Sequence, residues 1–197
     1  RFKYHSATDE ALMAALQKGR QRALAELYDR YNEALRHFFF RMTGQDAERA
    51  RDFTQDLFVK VSENAARFDT HRNFRTWLYH LAHNMCKNHY RHEAVRRTAQ
   101  NYFEGAEATL PSAPILAQLD AEIFRTRIDQ CLALLDTERR AAFLLRHREG
   151  LSLREIADIQ QCPLGTVKSR LHHAHRFLAA QLADLKPEIL PEDEALR

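Results

Sequence analysis

From Leu24 onward, apolar residues return at steps of three and four: Leu24, Leu27, Tyr28, Tyr31, Leu35, Phe38, Phe39 and Met42. Side chains spaced this way share one stripe of a 3.6-residue helix, so the stretch predicts an amphipathic helix, with Gly44 placed to end it. A second helix is predicted from about Asp46 to Arg67, with Phe53, Leu57 and Val61 inward and Asp52, Gln55 and Asp56 on another face. The third begins near Phe74, where Trp77, Leu78, Leu81, Ala82 and Met85 form the expected buried stripe. A short helix from about Ala7 to Lys18 precedes them.

The pattern then breaks. Between Thr98 and Ala121 there is no Lys or Arg, Glu104, Glu107 and Asp120 are acidic, and Pro111 and Pro114 interrupt any helix, so this segment reads as a linker. Helical spacing resumes at Ile128, Leu132 and Leu135 and continues to about Leu185; Lys186 to Arg197 carry two Pro and four acids and read as a loose tail. No internal repeat is visible. The chain is expected to be all-α: a helical domain over 1–97, a flexible acidic linker over 98–121, a second helical domain over 122–185 and a tail over 186–197. With five Gly and five Pro in 197 residues and 29% charged residues, composition speaks against a β-rich or low-complexity protein.

Near the C-terminal end a helix-turn-helix is written in the sequence. Ser152 followed by Glu155, just before Ile156, Ala157 and Ile159, is a capping box, in which each side chain satisfies a free backbone N–H at a helix start. The helix that begins at Leu153 can run only to about Ile159, because Pro163 follows and is tolerated in the first turn of a helix but not inside one. Two helices therefore meet at a tight turn. In the second, Val167, Leu171, Ala174 and Leu178 share one face, which leaves Thr166, Ser169, Arg170 and His173 on another. That polar face suits a major groove: Arg can take guanine bidentately, and Thr and Ser bond bases or phosphates. Lys168, Arg176, Arg154 and Arg148 would hold the flanking backbone. The plainer alternative is a solvated basic face on an ordinary helical hairpin.

Net charge is only +3, but it is unevenly placed. Residues 71–100 hold six basic residues against Glu93 alone, and residues 139–180 hold eight against three acids. Two separate basic zones point to a polyanion touched twice. Cys86, Cys131 and Cys162 are odd in number and in no metal-type spacing, which argues against a disulfide framework and for a reducing cytoplasm. No uncharged apolar run approaches the ~20 residues that span a bilayer, and no signal peptide is visible, so membrane insertion is not expected.

Three stretches carry a resemblance. Leu151 to Leu178, "LSLREIADIQQCPLGTVKSRLHHAHRFL", resembles region four of extracytoplasmic-function (ECF) sigma factors, the bacterial RNA polymerase specificity subunits. "DFTQDLFVKV", Asp52 to Val61, resembles the polymerase-binding helix of their region two, and "FRTWLYHLAHNMCKNHYR", Phe74 to Arg91, its promoter-reading helix. The resemblance implies a protein that turns core RNA polymerase into a holoenzyme and recognises promoter DNA at the minus-ten and minus-thirty-five elements. By the same resemblance, Asp52, Gln55 and Asp56 face the coiled coil of the largest polymerase subunit, and the loop of Asp69, Thr70, His71, Arg72 and Asn73 receives an unstacked base. Arg170 with its neighbours reads the upstream element. Tyr79, His83, Lys87 and Tyr90 mix aromatic and basic groups away from the stripe of the third helix, and stacking on an aromatic holds a displaced base by ~1 to 3 kcal/mol. An anti-sigma factor is implied as a further partner. One departure stands out: where the family usually has Gly at the turn, this chain has Gln161, so a left-handed residue there would cost more.

His80, His83, Cys86 and His89 stand at helical steps, and imidazole with thiolate can bind zinc, but no supporting carboxylate is evident beside the histidines. A self-sufficient helix-turn-helix repressor would bind its operator without polymerase, leaving the Asp52 helix without a task. No Gly-rich phosphate loop, nucleophile elbow or paired-carboxylate motif is present, so neither catalysis nor a cofactor is expected.

Overall fold

The computed structural model describes residues 3–100 and 121–183. Among these there are eight α-helices, one 3-10 turn and no strand. The tail and most of the linker read from the sequence lie outside the described residues.

The first half of the chain forms α1 (Asp9–Gln17), α2 (Arg22–Met42), α3 (Ala47–Asn64) and α4 (Phe74–Gln100), with a 3-10 turn at Ala65–Arg67. The starts of α1 and α3 are set by side chains: Thr8 accepts from the Ala11 N–H at 3.2 Å, and Asp46 accepts from the Arg49 N–H at 2.9 Å. Between α2 and α3 the chain turns through Gly44 and Gln45, at φ 71° and 68°, and the Gln45 N–H returns to the Phe40 carbonyl at 2.8 Å. The stripe expected on α2 is the one buried: Leu27, Leu35, Phe38, Phe39 and Met42 are 2% exposed or less. They close on Leu57, Phe58 and Val61 of α3 and on Phe74 and Leu78 of α4, where removing apolar area from water stabilises the half. The third helix is longer than the stripe required, since α4 runs on to Gln100.

The second half forms α5 (Ala121–Leu134), α6 (Thr137–His147), α7 (Leu153–Gln160) and α8 (Leu164–Gln181). Asp136 caps α6 through the Arg139 N–H at 2.9 Å. The capping box on α7 is complete: Ser152 Oγ accepts from the Glu155 N–H at 3.2 Å, and Glu155 Oε2 accepts from the Ser152 N–H at 2.8 Å. Helix α7 ends on Gln161 in the left-handed conformation, φ 50° and ψ 49°, and Pro163 then stands at the N-cap of α8. Gln161 adopts the backbone that a Gly would take, and its amide donates to the Asp158 carbonyl at 2.6 Å. The small core of this half holds Ile156, Ile159, Val167, Leu171, Ala174 and Leu178.

The halves pack against each other. Helix α4 lies on α7 and α6, and α2 reaches α5 and α6. Arg41 and Asp129 meet at 2.9 Å across this seam.

Candidate nucleic-acid interface

On α3, Leu57, Phe58 and Val61 turn inward while Asp52, Gln55 and Asp56 are exposed, as the spacing requires. Val59 beside them is 55% exposed, so this face offers an acidic strip with an apolar member. Nothing within the described chain covers it.

The loop of Asp69 to Asn73 is stretched between two buried rings, Phe68 and Phe74. Asp69, His71, Arg72 and Asn73 are exposed and Thr70 is half-buried. Asp69 Oδ1 accepts from the His71 N–H at 3.0 Å, and Asn73 Oδ1 accepts from the Thr76 N–H at 2.8 Å, which caps α4. From behind, Gln17 donates to the carbonyls of Ala65 and Phe68 at 2.9 and 2.8 Å, and Glu10 Oε1 accepts from the Phe74 N–H at 3.0 Å. Helix α1 thus fixes both roots of the loop. Gln17 and Glu10 carried no signal in the sequence, because their partners are backbone groups 48 to 64 residues on.

On α8, Lys168, Ser169, His173 and Arg176 are exposed together, Thr166 is half-buried at the first turn, and Arg148 and Arg154 are exposed beside them. Arg170 differs. Its guanidinium donates to Gln160 Oε1 at 2.7 Å and to Cys162 Sγ at 3.3 Å, and lies 3.1 Å from Glu138 Oε2.

The residues singled out on α4 are less accessible than their spacing suggests. Tyr79 is fully buried and donates its hydroxyl to Glu149; burial first, then the charge and hydrogen bond of Glu149, raise its pKa. His83 is 1% exposed and faces Glu138 at 3.3 Å. Tyr90 is half-buried and donates to the Met42 carbonyl, while Lys87 is exposed, 3.8 Å from Glu138. A single apolar period marks one buried face, but α4 is covered on two sides, by α2 and α3 and by α6 and α7. On the second side Glu138, Glu149 and the Ile159 carbonyl meet side chains of α4, contacts that leave no hydrophobic period.

Glu138 is central to it. Desolvation alone would push its pKa up, but His83 and then Arg170 and Lys87 hold it below the ordinary carboxylate value. The His83 and Arg170 contacts are close without being aligned as hydrogen bonds.

The zinc alternative finds its four residues pointing to different partners. His80 Nδ1 is 2.8 Å from the Ile159 carbonyl, His83 faces Glu138, and His89 meets Arg49 at 2.9 Å and Glu93 at 3.2 Å. Cys86 is buried, its thiol pushed up to about 12 chiefly by desolvation. Two of the histidines therefore do stand beside carboxylates, contrary to the sequence expectation. Among the described residues no group of three or more His, Cys, Asp and Glu could hold a metal.

An acid-faced helix, a braced polar loop and a helix-turn-helix in this order match known proteins. Residues 27–97 match the Sigma-70 region 2 family, and residues 125–178 match Sigma-70, region 4. The chain belongs to the sigma-70 family. It is 34% identical over 188 residues to the RNA polymerase sigma-H factor of Pseudomonas aeruginosa, covering 91% of this chain and 96% of that one. It is 32% identical over 183 residues to the ECF RNA polymerase sigma factor SigW of Bacillus subtilis, covering 86% and 94%. Among solved structures, CnrH in complex with the cytosolic domain of CnrY overlays with a TM-score of 0.67 at 28% identity, covering 90% of this chain and 99% of that one. The protein is an ECF-type sigma factor, a transcription initiation factor and not an enzyme. No described helix is long and apolar enough to cross a membrane.

Proposed function

We propose that this sigma factor works in the cytoplasm and divides its task along the chain as the sequence suggested, with a polymerase-binding unit over 1–97 and an upstream-reading unit over 122–185. Asp52, Gln55 and Asp56 grip core polymerase by charge-assisted hydrogen bonds to basic groups. The Asp69 to Asn73 loop, with the exposed Lys87 of α4, takes the minus-ten element, and the outer face of α8 enters the major groove at the minus-thirty-five element; Tyr79, His83 and Tyr90 are turned into the protein and pack instead. An anti-sigma factor is the expected antagonist; CnrH, whose fold this chain shares, is seen with the cytosolic domain of CnrY.

The observation that carries the reading is the cationic outer face of α8. Lys168, Ser169, His173 and Arg176 stand exposed on a helix whose entry is fixed by a left-handed turn and whose inner face is fully buried. Its test is footprinting on genomic fragments with core polymerase alone, the chain alone and both together. Specific protection is expected only with both. Tight specific protection by the chain alone would instead mark a self-sufficient repressor.

A further inference from the structure

We propose that His147 of α6 and His175 of α8 form a two-ligand site for a late first-row divalent cation (nickel, copper or zinc) that ties α8 to α6.

The site is built by two helices packed on each other. His147 ends the last turn of α6, and His175 follows Ala174, which is buried with Leu171 and Leu178 in the core of this half. The two Nε2 atoms stand 2.8 Å apart, with ring centres at 4.9 Å and ring planes crossed at 70°. Phe143, one turn before His147, packs on both rings, its centre 4.6 Å from that of His147 and 5.7 Å from that of His175. His147 is exposed and His175 half-buried, so the pair opens to solvent.

This pair has the dimensions of a chelate. With the ring centres left where they are, a cation roughly 2.0 to 2.1 Å from each nitrogen makes an N–metal–N angle of about 100°, between the square and tetrahedral values. The rings need only swing enough to part the nitrogens by about 0.3 Å, and neither helix moves. In the hydrogen-bonded pair one Nε2–H donates to the other Nε2. On binding, that proton passes to Nδ1 of its own ring, so both lone pairs face the cation and no proton is lost.

The donors set the class of cation. Imidazole nitrogens suit nickel, copper and zinc, whereas calcium and magnesium take oxygen. Two protein ligands leave an open site, and water completes the coordination. Arg146 brings an opposing charge to His147, but its guanidinium is bound to the Leu151 carbonyl at 3.1 Å. The histidines of α4 differ, since His80 meets a carbonyl, His83 a carboxylate and His89 a guanidinium. Lys168, Ser169, His173 and Arg176 take no part in the site and stay exposed when it fills.

The test titrates Ni2+ alone into the full chain by calorimetry. The tightest event is expected at one Ni2+ per chain. His147→Gln and His175→Gln should each weaken it tenfold or more, while His172→Gln, at an exposed position of α8, should not. Saturating Ni2+ should raise the melting temperature of the wild-type chain by roughly 5 °C and that of neither single variant. Pulsed electron paramagnetic resonance of the Cu2+-loaded wild-type chain needs no substitution, and so serves where a variant folds poorly; it should count two imidazoles on one ion. A count of one imidazole or none, a Ni2+ affinity unchanged by His147→Gln, or binding abolished by His172→Gln overturns the site.

Discussion

Arg140 Nη1 donates to the carbonyl oxygen of Met42 at 3.1 Å, so a guanidinium on α6 closes the C-terminal end of α2, 98 residues earlier in the chain. The same side chain, 5% exposed, donates to the Tyr90 hydroxyl at 3.0 Å and to the Leu135 and Ala133 carbonyls at 2.8 and 2.5 Å. It satisfies carbonyls at the ends of α2 and α5 that no helix bond reaches. Arg140→Leu should therefore lower stability by roughly 2 to 5 kcal/mol, since the Ala133 and Leu135 carbonyls lose their side-chain donor and the Met42 carbonyl keeps only Tyr90. Urea unfolding should show the midpoint fall; a change within ~0.5 kcal/mol would mean water replaces the guanidinium.

Gln161 sits at φ 50°, where a side chain clashes with its own backbone. Gln161→Gly relieves that strain and loses the bond to the Asp158 carbonyl, so a modest gain of about 0.5 kcal/mol is expected in thermal or urea melts. Ser152→Ala, by contrast, removes half of the capping box and should cost about 1 kcal/mol.

His147 and His175 face each other with Nε2 atoms 2.8 Å apart on α6 and α8, and burial, then His175 and Arg146, bring the His147 pKa down to about 4. An unfolded chain takes up that proton near 6.5 while the folded chain resists it, so stability should fall as the pH drops from about 6.5 toward 4. Glu138, whose pKa is depressed, gives way only below the ordinary carboxylate range. His147→Gln should flatten the upper part of a pH series of melting temperatures and leave the lower part in place. His147 is exposed by area, so screening keeps the effect small.

Asp52→Lys together with Asp56→Lys reverses the charge of the α3 face without touching the core, so affinity for core polymerase should drop by tenfold or more, read by titration with a labelled chain. Arg170→Ala should leave that affinity intact and weaken upstream-element binding in the assembled holoenzyme by about 1 to 3 kcal/mol. Equal losses of core affinity in both variants would contradict the division of labour.

The elements and the helix-turn-helix were legible because each leaves a local mark. The α2 stripe, the Ser152 and Glu155 pair and Pro163 lie within a few residues of the structure they specify. The seam was not legible. Its partners are 50 to 100 residues apart, and its members are charged groups whose ordinary place is water. Glu138 fell one residue outside the basic stretch counted from Arg139, although it is the acid that faces His83, Lys87 and Arg170. The same blindness made Tyr79 and His83 look free, since contacts with carboxylates give no hydrophobic period.

Run-off transcription on genomic fragments, with core RNA polymerase and with or without this chain, tests the central claim most directly. Discrete transcripts from a small set of start sites should emerge only when the chain is added, and vanish with Asp52→Lys and Asp56→Lys. Transcript patterns that are the same with and without the chain would contradict its role in choosing promoters.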